Sequence, residues 1–110
     1  MKHYDLSELI AMSQGNSDFV KKMVDLFLKT TEESLNEMIV SFKEMKFEEV
    51  AGLAHKIKPS IQLMGISELK DVVSDIELNG KSGGEGLDVL VPNLEEVLRV
   101  VFKEMKEEYP

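Results

Sequence analysis

The chain has 110 residues, 43% of them hydrophobic and 31% charged, with no cysteine and a formal net charge of -8. That length holds one hydrophobic core, so residues 1–110 read as a single domain and a multidomain enzyme is excluded; without cysteine, disulfides, thiolate zinc sites and cysteine nucleophiles fall away. Thirteen basic against 21 acidic residues argue against nucleic acid, whose phosphate backbone needs a concentrated basic face, and favour a protein partner.

No apolar run approaches the roughly 18 to 20 residues of a membrane span, and Met1 to Asp5 lead into no signal-peptide core, so a cytoplasmic protein without membrane contact is expected. Leu6 to Met12 predict a short helical turn covering one end of the fold, closed by Gly15. After Asn16 and Ser17, both capable caps, Val20, Met23, Val24, Phe27, Leu28, Leu35, Met38, Ile39, Phe42 and Met45 recur at the three-and-four spacing of one long amphipathic helix. Phe47, Val50, Ala54, Ile57, Ile61 and Met64 make a second stripe, ending where Gly65 can serve as a left-handed C-terminal cap. Leu69, Val72, Val73, Ile76 and Leu78 predict a shorter third helix, and the glycine-rich stretch 79–86 reads as a flexible connector. Leu87, Leu90, Val91, Leu94, Val97, Leu98, Val101, Phe102 and Met105 supply the last helix, with Pro92 expected at its start or at a kink because proline has no amide to donate. Nothing alternates with a β period. Short connections between amphipathic helices predict an all-α fold, an antiparallel up-and-down four-helix bundle with a short N-terminal helical cap.

The unusual residues surround one histidine. On the second helix Gly52, His55, Lys58, Pro59 and Gln62 fall at -3, 0, +3, +4 and +7, so they share a face. The 3.6-residue period sets His55 about 100° or more from the centre of the core stripe, so its ring should reach solvent. Glycine costs about 1 kcal/mol and proline about 3 in a helix interior relative to alanine, so stability alone would not place Gly52 and Pro59 there. Pro59 also lacks the amide that would bond the carbonyl of His55 itself. Such rule-breaking around an exposed imidazole flanked by Lys56 and Lys58 points to a site for an anionic group approached by a second surface; the plain alternative is an exposed histidine on a kinked helix.

The run His55-Lys56-Ile57-Lys58-Pro59-Ser60, followed by Gly65, resembles the His-x-x-Lys-Gly-Ser signature of histidine-containing phosphotransfer (HPt) domains, and the resemblance extends over nearly the whole chain. It implies a four-helix bundle without an ATP site that carries a phosphoryl group on histidine between aspartates of response-regulator receiver domains, fed by a hybrid sensor kinase. It implies His55 as phosphoacceptor, Lys58 as the signature's lysine three residues on, Ser60 as the small polar residue and Gly65 as the helix-ending glycine. Lys58 is our candidate for neutralising phosphate, the plain alternative being a solvated helix lysine. Gln62 is a candidate for orienting the imidazole or phosphate, a simple surface amide being the plainer reading, and Gly52, Lys56 and Pro59 are candidates for partner docking. Pro59 departs from the signature, standing where glycine usually lets the receiver approach. No cofactor is expected on this chain, since the resemblance places Mg²⁺ and most catalytic groups on the receiver, and a monomer is expected. A neutral imidazole nitrogen, Nε2, would be the nucleophile.

Other signals are discounted. Gly80-Lys81-Ser82 lacks the earlier glycine of a phosphate-binding loop, Asp75 standing in its place. His3 lies in a terminus expected to fray. The pairs Glu32-Glu33, Glu95-Glu96 and Glu107-Glu108 are adjacent residues that do not face one another, and the methionines fit core filling. Besides a phosphoryl carrier, the chain could be a bundle that binds a receiver or other protein without exchanging phosphate. An acid–base enzyme using His55 and Lys58 ranks last, lacking a convergent nucleophile or carboxylate.

Overall fold

A computed structural model describes residues 2–110, and its regular structure is helical throughout: α1 (Ser7–Met12), α2 (Ser17–Lys43), α3 (Phe47–Leu63), α4 (Lys70–Lys81) and α5 (Leu87–Glu108), with one 3₁₀ turn over Ser67–Leu69. The Asn16 side chain accepts the Phe19 amide at 3.1 Å and caps α2, a contact worth about 1 kcal/mol. At 1.5 Å per residue α2 is about 40 Å long and runs nearly the length of the 44 Å molecule. α3 lies between α2 and α4, and α5 closes the bundle against α4 and α2. The expected four-helix bundle with its N-terminal cap is therefore what forms.

The core follows the stripes. Val24, Leu35 and Met38 of α2 meet Ala54, Ile57 and Ile61 of α3, Val73 and Ile76 of α4, and Leu94, Leu98 and Phe102 of α5, all buried. Phe27 and Phe102 meet edge to face with ring centroids 6.1 Å apart. Two expected core residues lie outside it. Leu78 is 63% exposed, and Met45 is 72% exposed at φ +60°, beyond the end of α2. There the Met45 amide donates to the Phe42 carbonyl at 3.0 Å and the Lys46 amide returns to Ser41 at 2.8 Å. Met45 thus takes the left-handed position that terminates a helix, usually glycine's, and apolar periodicity counts it as one more core methionine.

The glycine-rich stretch 79–86 is not a flexible connector. α4 continues through Asn79 and Gly80 to Lys81, and the Ser82 and Gly84 amides donate to the Asn79 carbonyl at 3.1 and 2.8 Å. Gly80 is buried, and a Cβ on it would stand 2.7 Å from the Phe47 carbonyl oxygen and 2.9 Å from Ala51 Cβ. Its missing side chain lets α4 press directly onto the first turns of α3. Pro92 likewise sits within α5 rather than at its start, five residues after Leu87.

The N-terminal segment is a strap rather than a frayed end. Asp5 donates its amide to the Met64 carbonyl at 3.2 Å, crossing α3 where Gly65, at φ +64°, ends the helix; a Cβ on Gly65 would overlap the Asp5 carbonyl. Both the backbone amide and ring Nδ1 of His3 lie 3.1 Å from Glu104 Oε1, the Tyr4 hydroxyl donates to Glu108 at 3.2 Å, and Lys2 pairs with Glu108. Among the described residues, no helix is long and apolar enough to cross a membrane.

Candidate functional site

The close packing at Gly80 decides what stands beside His55. With α4 held against α3, Glu77, one turn before Lys81, brings its carboxylate under the His55 ring: Nδ1 lies 2.9 Å from Glu77 Oε2. The His55 side chain remains 75% exposed, whereas that of Glu77 is only 15% exposed. The same carboxylate receives Lys81 Nζ on Oε2 at 3.2 Å and lies 3.8 Å from Lys58 Nζ through Oε1. One anion thus gathers the imidazole and two ammonium groups, and Glu77 against Lys58 and Lys81 leaves the cluster one positive charge in excess.

The electrostatics settle the ring's tautomer. The hydrogen bond from Lys81 holds the Glu77 carboxyl below the ordinary carboxylate range, burial opposes this, and the bond with His55 adds to it. An ionised carboxylate only accepts, so a neutral His55 ring must place its proton on Nδ1 and donate it to Glu77. Nε2 is left with its lone pair directed away from the carboxylate. This arrangement suits nucleophilic attack on an electrophile delivered from outside, because the ring is oriented and the attacking nitrogen is unencumbered.

The remaining sequence-selected residues fall around this centre. Gly52 is exposed, with nothing within 4 Å of where a Cβ would be, so the surface one turn before His55 is open. Pro59 is exposed and inside α3, which continues to Leu63 without interruption. Lys56 and Gln62 are exposed, and neither contributes a hydrogen bond to His55 among the described residues; Ser60 is half-buried. Gly65 ends the helix as expected. The structure adds Glu77 and Lys81, which sequence reasoning missed. Glu77 to Lys81 is an (i, i+4) pair visible in sequence, but its place beside His55 depends on tertiary contact across 22 positions.

One cleft is lined by Lys2, His3, Tyr4, Asp5 and Gly65 at the strap, and another by Gln62, Gly65 and Lys70; neither is lined by His55. Among the described residues, no three or more His, Cys, Asp or Glu side chains gather so as to hold a metal ion. The site is an open helix face, built for a macromolecular partner more than for an enclosed small molecule.

The fold and site together are a helical bundle that presents one oriented imidazole to solvent. Residues 22–108 match the family model of the Hpt domain, and the chain belongs to that family. It is 27% identical over 103 residues to the phosphorelay intermediate protein rdeA of Dictyostelium discoideum, a match covering 93% of this chain and 41% of that protein. It is 26% identical over 74 residues to the phosphorelay intermediate protein YPD1 of Candida albicans, covering 67% of this chain and 40% of that one. The chain thus spans about two-fifths of the length of these curated relatives. No solved structure matches it significantly.

Proposed function

We propose that this chain is a histidine phosphotransfer protein of a multistep phosphorelay, accepting a phosphoryl group on His55 Nε2 from a receiver-domain aspartate and returning it to another. The observation that carries the reading is the exposed imidazole whose Nδ1 is engaged by Glu77 while Nε2 is free. Membership of the Hpt family, and likeness to two proteins named as phosphorelay intermediates, support it.

In-line attack on an aspartyl phosphate requires positioning and neutralisation of the equatorial oxygens more than covalent help. Lys58 is assigned to that neutralisation. Gln62 is assigned to the phosphoryl oxygens rather than the ring, because Glu77 already occupies Nδ1. Gly52, Lys56 and Pro59 form the low surface on which the partner docks, Gly52 and Pro59 by adding little bulk and Lys56 by its charge. The receiver brings Mg²⁺. The chain acts as a stoichiometric, monomeric and cytoplasmic carrier without kinase activity of its own, between receivers and a hybrid sensor kinase.

The test is transfer of label from a radiolabelled phospho-receiver in the presence of Mg²⁺. Acid-labile label should reach wild type and not His55→Gln, whose fold should be retained because the ring is exposed. Equal binding of the receiver to both variants, with no label on either, would instead identify a non-catalytic binding module.

A further inference from the structure

Pro59 stands one helical turn after His55, and its ring nitrogen carries no hydrogen. The His55 carbonyl, which an amide at position 59 would bond, therefore lacks its helical partner. We infer that this carbonyl is a specificity-determining acceptor, selecting receivers that present an uncharged N–H or O–H donor to the face between Gly52 and Pro59. The inference rests on the carrier reading of His55 and goes beyond it by naming what the receiver must bring.

An α-helix directs each carbonyl along its axis toward the residue four positions on. Because α3 stays helical from Phe47 to Leu63 with Pro59 inside it, the His55 carbonyl points at the pyrrolidine ring, which crowds it and tilts it toward water. The surroundings are open: His55 and Pro59 are exposed, and nothing lies within 4 Å of where a Cβ on Gly52 would be. Side-chain hydroxyls bond helix carbonyls elsewhere in the bundle, Thr30 to Leu26, Ser74 to Lys70 and Ser82 to Leu78. Among the described residues none does so for His55.

A receiver that covers this face takes the carbonyl out of water. Unless the receiver supplies a donor, the complex bears the desolvation of an unmatched acceptor; with an amide at position 59 the helix itself would satisfy the carbonyl, and the surface would be indifferent to what covers it. Charge narrows the donor. Lys56 and Lys58 flank His55 in sequence, and Lys58 and Lys81 already share Glu77, so a lysine or arginine of the partner would be repelled where a backbone amide or an amide or hydroxyl side chain would not. Since the same residue carries the reacting ring, a donor bound here also sets the receiver's distance from the imidazole. Pro59 is thus a positioning residue that acts through the carbonyl it leaves free.

The experiment uses a receiver domain first shown to pass label to His55, and full-length protein carrying carbonyl-¹³C histidine and ¹⁵N lysine. His55-Lys56 is the only His-Lys pair in the sequence, so the His55 carbonyl gives a single carbonyl-to-amide NMR correlation. On addition of the receiver that signal should move to lower field in wild type, as a carbonyl does on gaining a stronger hydrogen bond. In Pro59→Ala and Pro59→Gly, whose restored amide holds the carbonyl, it should move little, and calorimetry should show the receiver bound about five- to tenfold more weakly, its donor left unmatched. Alanine and glycine differ in helix propensity, so agreement between the two variants ties the loss to the restored amide rather than to helix stability. A wild-type His55 carbonyl signal that binding leaves in place, or affinity unchanged or raised in either variant, would overturn the inference while leaving His55 a phosphoryl carrier. Failure of folded wild type to accept label from a panel of phospho-receivers would overturn the carrier reading itself.

Discussion

The two histidines of this chain each lie against a glutamate, yet their surroundings differ in the respects that matter for carrying phosphate. His3, on the N-terminal strap, has Glu104 Oε1 3.1 Å from Nδ1 and Glu68 Oε1 3.9 Å from Nε2, so both ring nitrogens face carboxylates. His55 shares one carboxylate with Lys58 and Lys81 and turns its second nitrogen to solvent. A phosphoryl group would meet two anions at His3, and one anion and two cations at His55. Exposure alone does not separate these residues, since the His3 side chain is itself 40% exposed. The placing of lysines around the glutamate does.

Three substitutions sharpen that contrast. The largest expected effect belongs to Gly52→Arg: transfer from a phospho-receiver should fall at least tenfold, because a long side chain would rise from the open surface one turn before His55. Urea denaturation should show stability unchanged or raised by up to about 1 kcal/mol, since arginine is the better helix former. Normal transfer would remove Gly52 from the docking surface. Gly80→Ala should lower stability by about 1–3 kcal/mol, as an added methyl must displace Phe47 backbone and Ala51. It should also weaken the Glu77–His55 contact by moving α4 off α3, visible as a changed His55 ring signal while His3 is undisturbed.

The smallest effect is on the pH dependence of stability, where the two ends behave alike. The Glu77 carboxyl is held below its ordinary range chiefly by Lys81, and that of Glu104 by the His3 amide and ring against the opposing desolvation. A carboxyl with a depressed folded value contributes stability above its unfolded value, about 4, and loses it as pH falls through the folded value. Thermal stability should therefore fall below about pH 4, and less steeply in Glu104→Gln than in wild type. An equal slope in the two proteins would show that the strap contact adds nothing.

Most of the bundle was legible from periodicity, because α2, α3 and α5 each bury a continuous apolar stripe and are bounded by residues with local cap chemistry, Asn16 and Gly65 among them. What escaped is instructive about the limits of local patterns. Gly80 looked like part of a linker because glycine marks both turns and close helix contacts, and only the partner helix distinguishes them. Met45 and Leu78 looked like core because their spacing fits, although one occupies a left-handed cap and the other faces water. His55, Lys58 and the open face around Gly52 and Pro59 were accessible to sequence reasoning because helical geometry fixes their mutual placement. Glu77 and Lys81 were not, since they come from the next helix and reach His55 only through the packing at Gly80.

The most direct measurement of the central claim is to phosphorylate the intact protein from a phospho-receiver, digest it at alkaline pH where phosphohistidine survives, and locate the phosphoryl group by mass spectrometry. The account expects it on the peptide containing His55 and absent from the one containing His3. Phosphate on His3, or on neither histidine while the receiver is dephosphorylated, would contradict it.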